Sequence, residues 1–287
     1  MAKGYVIYNP LAGNGKAKED AQLLQLVLDE EPEYYDMTRI TNYEAFIGGM
    51  AQDDYLVIVG GDGTLNRFVN DTNGIEISQE ILYFPTGTGN DFAKDIGMGV
   101  NPRPITAYLK DLPSVEVNGK HYRFINAVGF GIDGYCCQVG DELRKIPGKK
   151  VNYTGIAIKG LLFYFTPRNA TVTVDGKEYT YNKVWIAPTM YGKFYGGGMI
   201  PTPRQDRNSG KLSVMLFHGA GRLRTLCVFP GIFKGTHIKH KNMVAVHTGN
   251  EITVEFDRPT PLQIDGETVL NVTRYKAKTV LRGNSLL

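Results

Sequence analysis

The chain has 287 residues, enough for one large or two ordinary domains, and its 42% hydrophobic and 21% charged content is that of a water-soluble globular protein. Its first ten residues, MAKGYVIYNP, lead into a strand pattern rather than a charged-then-apolar leader, and the longest apolar stretch, from Gly155 to Pro167, is shorter than the about 20 residues that a bilayer span requires. Cys136, Cys137 and Cys227 are odd in number and lack metal-site spacing, which argues against a disulfide scaffold and predicts reduced thiols in a cytoplasmic protein.

The first 117 residues alternate strand and helix. GYVIYN (Gly4–Asn9) is a short β-rich run, and Lys16–Glu31 reads as helix with apolar positions at Leu23, Leu24, Val27 and Leu28. Glu33–Arg39 is strand-like, Asn42–Ala51 helix-like, Tyr55–Val59 a continuous apolar strand and Leu65–Asn70 helical, so that helix begins only after Thr64. Ile81–Pro85 is a further strand, and Gly89–Gly97 opens the next helix. This alternation predicts βαβ crossovers and a parallel, Rossmann-type α/β domain with helices on both faces.

After Val117 the rhythm changes to short period-2 runs broken by Gly, Asp, Asn and Pro, which predicts an antiparallel β-sandwich over 118–287, its last ~15 residues able to return to the first domain. Val174–Tyr179 reads as a hairpin with Asp175-Gly176 as its turn, and two helical stretches interrupt the strands, Cys136–Phe165 and Ala220–Phe233. Charge follows the same division. Residues 1–117 hold 8 Lys and Arg against 18 Asp and Glu, while 118–287 hold 24 against 11, so a net +3 conceals −10 and +13. The basic half either faces anionic lipid or nucleic acid, or carries its excess scattered over all faces.

In an open parallel sheet, ligands gather beyond the carboxyl ends of the strands. Three glycine-rich loops fall there: NPLAGNGKA (Asn9–Ala17), GGDGTLN (Gly60–Asn66) and PTGTGNDF (Pro85–Phe92). Each follows a strand and opens a helix whose first N–H groups favour an anion. One such loop is an ordinary helix start; three at one edge point to phosphate. Neither the G-x-x-x-x-G-K-[ST] cradle nor a G-x-G-x-x-G fingerprint with its distal acid is present. Asp62, in the middle of the second loop, would repel polyphosphate unless a divalent cation bridged the two, so the loop predicts a nucleotide donor with Mg²⁺. Gly60, Gly61 and Gly63 allow close backbone approach, and the Thr64 hydroxyl either caps the helix or binds phosphate.

VIVGGDGTLN followed by PTGTGNDFA, with YNPLAG before them and GGGMIPTP (Gly196–Pro203) and QIDGE (Gln263–Glu267) after, resembles the diacylglycerol kinase catalytic-domain family of lipid kinases. That family includes sphingosine and ceramide kinases and bacterial relatives and is distantly related to NAD kinases. The resemblance spans nearly the whole chain. It implies an NAD-kinase-like α/β nucleotide domain, a β-sandwich domain and a cleft between them for the acceptor, with a role in phospholipid biosynthesis. Carried over position by position, Asn9, Thr38, Gly60, Gly61, Asp62, Gly63, Thr64, Leu65, Asn66 and Thr88 would bind ATP, with Asp62 beside the phosphates and Mg²⁺. Asn90 and Asp91 would shape the third loop, or serve only as helix caps. Glu267 matches the proton acceptor and Asp265 its partner. On chemistry alone, Asp265-Gly266 is also an ordinary hairpin turn. Two carboxylates flanking a glycine can nevertheless serve one site, one orienting and one taking a hydroxyl proton late in a loose phosphoryl transfer.

There is a departure. Relatives commonly carry DG.LDV, where this chain has NSGKLSV (Asn208–Val214), with Ser209 and Ser213 in place of aspartates. In bacterial relatives the first of those aspartates helps hold a structural Mg²⁺, and its ligand positions align with Asp206, Ser209 and Lys211, the last through its carbonyl. Losing a carboxylate weakens a hard-cation site, so we expect this ion to be lost rather than kept. His121, His218, His237, His240 and His247 show no ligand spacing. Leu143–Lys150 and Phe233–Asn242 are basic segments beside apolar helices, either a solvated face or an apron for an anionic bilayer. The expectation is an ATP-dependent kinase acting on a lipid hydroxyl at the inner membrane face, as monomer or homodimer, with no nucleic-acid partner. The alternatives are an NAD kinase and a nucleotide-binding regulator without turnover.

Overall fold

The computed structural model describes residues 2–10, 17–28, 31–99, 101–146 and 151–280. The chain divides into two compact units, Met1–Leu112 and Pro113–Leu287.

In the first unit, β1 (Gly4–Tyr8), β2 (Glu33–Asp36), β3 (Tyr55–Gly60) and β4 (Glu80–Pro85) pair in parallel, and the two-residue β5 (Arg103–Pro104) adds to the edge antiparallel, in the order β2-β1-β3-β4-β5. The central strands are continuous apolar runs because both faces are covered. Val6, Val57 and Val59 pack with Ala17, Ala21 and Leu24 of the segment carrying α1 (Ala17–Gln22). On the opposite face, Phe46 of α2 (Tyr43–Gly48) meets Tyr5 and Tyr35 edge-on, and Tyr43 meets Phe68 of α3 (Asp62–Asp71). Neighbouring strand order reverses between β1 and β3, which makes their carboxyl ends, Asn9 and Gly60–Gly61, the switch point where such sheets bind ligands.

Local chemistry moves several boundaries. The expected helix over Lys16–Glu31 is α1 followed by a 3-10 turn, Leu23–Leu26; Leu23 and Val27 are about half exposed, so half the apolar set finds no core to hold a longer helix. Strand β2 stops at Asp36, because its carboxylate accepts from the Thr38 backbone N–H and hydroxyl at 2.8 and 2.6 Å and turns the chain. Helix α3 starts at Asp62, two residues before Thr64. The remaining helices of this unit are α4 (Asp91–Asp95) and α5 (Thr106–Leu109).

The second unit is an antiparallel sheet: β6 (Ser114–Val117), β7 (Lys120–Arg123), β8 (Ala127–Gly131), β9 (Arg168–Val174), β10 (Lys177–Val184), β11 (Ile186–Met190), β12 (Leu212–Phe217), β13 (Val244–Gly249), β14 (Glu251–Ile264) and β15 (Glu267–Lys278). The main order is β13-β12-β11-β8-β14-β15-β6-β7, with the β9–β10 hairpin joined to β14 through β9. Strand β14 pairs with β9 over Ile252–Phe256 and, after a register break, with β8 over Leu262–Ile264, so one long strand serves two parts of the sheet. Asp175 and Gly176 both have positive φ, 46° and 83°, and make the predicted two-residue hairpin turn. The boundary falls before β6 because β6 pairs with the end of β15, Val117 opposite Tyr275; through Lys278 the chain stays in this sheet.

Helix α6 (Ile132–Arg144), α7 (Tyr153–Lys159) with the π-helical turn Gly160–Tyr164, and α8 (Arg222–Val228) supply the two helical interruptions. Ile132, Cys136, Leu161 and Phe165 pack with Trp185, Ile186 and Phe217. The three cysteines are free thiols, and burial pushes the Cys136 thiol up to about 12, so it acts as a core side chain rather than a nucleophile.

Candidate active site

In the first unit, the second and third glycine loops meet at their backbones. A Cβ on Gly87 would lie 2.6 Å from the Gly61 Cα, so Gly87 must be glycine for the loops to touch. A Cβ on Gly60 would fall 2.4 Å from the Thr64 hydroxyl oxygen, and the buried Tyr83 hydroxyl donates to the Gly60 carbonyl at 3.0 Å. Asp62 links the loops: its carboxylate accepts from the Asp91 N–H at 2.9 Å and the Phe92 N–H at 2.8 Å, capping α4 from a different helix. This gives the acidic residue in a phosphate-type loop a task that the sequence reading did not assign.

The other expected nucleotide contacts sort by exposure. Thr88 is exposed on the third loop. Asn90 takes the N-cap position of α4 with φ 49°, yet its side-chain amide donates back to the Gly87 carbonyl at 2.6 Å; Asp91 is buried, 3.8 Å from the Lys94 ammonium. Neither side chain caps α4, because Asp62 does. Nor does Thr64 cap α3, whose N-cap position belongs to Gly61. Thr64, Leu65 and Asn66 are buried on α3, and the N–H groups of Thr64 and Leu65 already donate to the Gly61 carbonyl at 3.1 and 3.2 Å. Gly63 lies in the first turn of α3. Asn9 follows β1, and residues 11–16 of the first glycine loop lie outside the described residues. Thr38 sits in the turn after β2, beside an open depression of about 660 Å³ lined by Tyr8, Tyr35, Asp36, Arg39 and Asn42.

In the second unit, Asp265 and Glu267 stand on the tight turn between β14 and β15, with Asp265 at φ 47° and Gly266 at φ 96°. Asp265 points inward. Its carboxylate accepts from the N–H groups of Ile125 (2.6 Å), Asn126 (2.8 Å) and Ala127 (2.9 Å), fixing the segment that enters β8. Glu267, first residue of β15, is exposed. One carboxylate of the pair is thus committed to the backbone and the other is open to solvent. The buried Gln263 side-chain oxygen accepts from the Gly266 N–H at 2.8 Å and steadies the same turn.

Four contributors were missing from the sequence reading: Asn126, Asp133, Gln205 and Arg207. The buried Arg207 guanidinium donates to the Ile125 carbonyl (2.6 Å) and the Asn126 side-chain oxygen (3.1 Å) and lies over the Tyr191 ring. The Asn126 carbonyl accepts from Tyr191 and Gly192 N–H at 2.9 and 3.0 Å. The loop of Asp206, Ser209 and Lys211 is therefore tied, through Arg207 and Asn126, to the residues Asp265 clasps. Asp133, at the start of α6, is buried where Gly129 leaves space; a Cβ there would sit 2.0 Å from its carboxylate. Gln263 and the helix N–H groups lie near it without a well-formed hydrogen bond to either oxygen, and burial raises its carboxyl to about 6.

That burial has a measurable sign. An acid whose folded pKa lies above its unfolded value favours folding when protonated, and that contribution is lost as pH rises from about 4 towards and beyond 6. Asp133→Asn is expected to raise the unfolding midpoint at neutral pH and to flatten the fall in stability across that window, read by calorimetry at several pH values. An unchanged pH slope would mean that Asp133 is not the group responsible.

Among the described residues no group of three His, Cys, Asp or Glu side chains could hold a metal ion. A magnesium ion arriving on nucleotide phosphates would need only one or two protein carboxylates; Asp62 is the carboxylate of the glycine loop, and each of its oxygens also accepts a backbone N–H. The structural metal fits less well. The Asp206 carboxylate accepts from the Asn208 N–H at 2.9 Å, and the Ser209 hydroxyl donates to the Asp206 carbonyl at 2.6 Å.

Residues 3–117 match the family model of the diacylglycerol kinase catalytic domain, and residues 126–278 match that of the YegS C-terminal NAD kinase beta sandwich-like domain. Residues 3–117 belong to the diacylglycerol kinase catalytic-domain family, and residues 126–278 to the YegS C-terminal sandwich family. The diacylglycerol kinase of Bacillus subtilis is 26% identical over 286 residues, covering 93% of this chain and 90% of the relative. That of Mycobacterium tuberculosis is 25% identical over 261 residues, covering 83% and 81%. The crystal structure of a diacylglycerol kinase from Bacillus anthracis shares the fold, with a TM-score of 0.62 at 20% identity over 97% of this chain and 93% of that one.

Proposed function

We propose that the chain is an ATP-dependent lipid kinase that transfers the γ-phosphoryl group to the hydroxyl of diacylglycerol or a related membrane alcohol. The observation that carries this reading is the division of labour on the β14–β15 turn, Asp265 spent on three backbone N–H groups and Glu267 left exposed. Phosphoryl transfer asks the protein for alignment and charge neutralisation more than for covalent chemistry. The glycine backbone and the N-terminus of α3 suit the phosphates, with Mg²⁺ from the nucleotide neutralising their charge near Asp62. Glu267 accepts the hydroxyl proton as the acceptor oxygen bonds to phosphorus and the bond to the leaving diphosphate breaks.

The test is labelled Mg-ATP with diacylglycerol and other lipid alcohols in mixed micelles, and NAD in a parallel reaction. Label is expected in a lipid, and Glu267→Ala is expected to cut transfer by about 100-fold or more while leaving ATP affinity near wild type. Label in NAD with none in any lipid would replace this reading with an NAD kinase; ATP binding without transfer to either would make the chain a regulator.

A lipid acceptor also calls for contact with a bilayer. Residues 143–168 and 220–242 contain eleven Lys and Arg and no Asp or Glu. On the same stretches Phe163, Tyr164 and Leu223 are exposed at 70, 67 and 74%, and the Arg222 guanidinium joins them by donating to the Leu161 and Phe165 carbonyls. Apolar tips with cationic neighbours suit an anionic interface. Among the described residues no helix is long and apolar enough to cross a membrane. Co-sedimentation with phosphatidylglycerol-containing vesicles is expected to fall several-fold in Phe163→Ser/Leu223→Ser and to weaken with salt; retention equal to wild type would remove this surface from the account.

A further inference from the structure

The loop at which the family resemblance implies a structural magnesium ion is closed in this chain by an amide. The carbonyl oxygens of Lys211, Tyr191 and Asp206 converge on the Gln205 side-chain nitrogen, at 2.9, 3.0 and 3.4 Å. Carbonyl oxygens only accept, so a point where three of them meet must hold a donor or a cation. The same fact assigns the amide's orientation, since its oxygen in that place would leave four acceptors facing one another. Gln205 is buried, so the convergence is not a solvent-borne accident of a surface side chain.

We infer that the Gln205 amide stands in for the cation and that the loop holds its shape without metal. Ser209 has changed role with it: where a carboxylate would be a ligand, the Ser209 hydroxyl donates to the Asp206 carbonyl at 2.6 Å, a second donor for an oxygen the ion would otherwise have taken. The Asp206 carboxylate is turned to the Asn208 N–H, and the Lys211 N–H lies 3.3 Å from the Ser209 hydroxyl. Two neutral donors thus satisfy oxygens that a hard cation would draw to about 2.1 Å in an octahedral shell. Gln205 is a positioning residue. It fixes the loop from which Arg207 reaches the Ile125 carbonyl and the Asn126 side chain, and those residues are the ones Asp265 grips beneath the turn that carries Glu267.

The experiment uses the full-length protein without nucleotide or acceptor, so its result is separate from the choice of substrate. Thermal unfolding is followed in EDTA and in millimolar Mg²⁺, and Mn²⁺ binding by electron paramagnetic resonance. The wild type is expected to melt at one temperature in both solutions and to bind no Mn²⁺ that depends on Ser209. Gln205→Glu places a carboxylate against three carbonyls and converts the plug into a ligand set. That variant is expected to melt several degrees lower in EDTA and to recover with Mg²⁺. A wild-type midpoint that falls in EDTA, together with a bound Mn²⁺ that Ser209→Ala removes, would overturn the inference, as would Gln205→Glu melting like wild type in EDTA. Should Gln205→Glu fail to fold, the wild-type measurements decide alone.

Discussion

Replacing Asp265 with asparagine is expected to lower the stability of the second unit by about 2–3 kcal/mol and to abolish measurable phosphoryl transfer, although Asp265 is not the group assigned to take the proton. Its two oxygens serve three N–H donors, on Ile125, Asn126 and Ala127, and all three of those residues are at most 3% exposed. Asparagine keeps the positive φ of 47° that the turn requires, since it tolerates the left-handed region, so the change isolates the carboxylate. It keeps one accepting oxygen and turns an NH₂ group against a backbone donor. A buried N–H left without a partner costs about 1–3 kcal/mol, and charge-assisted bonds stand at the upper end. Asp265→Ala should cost more, because it adds the strain of a left-handed alanine to the loss of every acceptor. Calorimetry should show a midpoint lower by about 4–12 °C for the asparagine variant, and Glu267, still present, should be unable to rescue transfer. A variant that melts within a degree of wild type and keeps its activity would show that the three N–H groups find other partners and that the turn does not depend on this carboxylate.

The same residue shows what the sequence could and could not disclose. QIDGE was legible as a hairpin turn carrying two acids, because Asp-Gly supplies the positive φ angles of a two-residue turn whatever surrounds it. That one acid faces inward became visible only with residues 125–127 alongside, about 140 positions earlier in the chain. Alternation of apolar strands with helices, and the switch from mixed to β-only rhythm, gave both fold classes from local pattern alone. Helix lengths were harder: Leu23 and Val27 fit a helical stripe, but no second layer of core reaches them. Ser209 was legible as a loss, since a missing carboxylate can be counted. The compensation by Gln205 was not, because a glutamine four residues upstream has no signature until three carbonyls are seen around its nitrogen.

Asp62→Ala is the second change expected to have a large effect, and it separates two tasks that one carboxylate can perform. Should Asp62 matter only through a phosphate-bound magnesium ion, the protein without nucleotide would not notice its loss, and ATP binding in EDTA would be unchanged. The geometry predicts otherwise. The carboxylate is the cap of α4, accepting the Asp91 and Phe92 N–H groups at 2.9 and 2.8 Å, and it joins loops that touch where Gly61 meets Gly87. Removal of a capping acceptor costs about 0.5–2 kcal/mol, so the nucleotide-free variant should melt a few degrees lower. With the third loop released from the second, ATP affinity should fall about 10-fold or more whether or not magnesium is present, the loss of roughly 1.4 kcal/mol of loop preorganisation. Isothermal titration with ATP in Mg²⁺ and in EDTA, beside a melt of the free protein, gives all three numbers. A nucleotide-free melt identical to wild type, with an affinity loss confined to the magnesium titration, would return Asp62 to the role of metal partner alone and leave α4 to be held by the packing of Phe92 against Tyr83 and Tyr108.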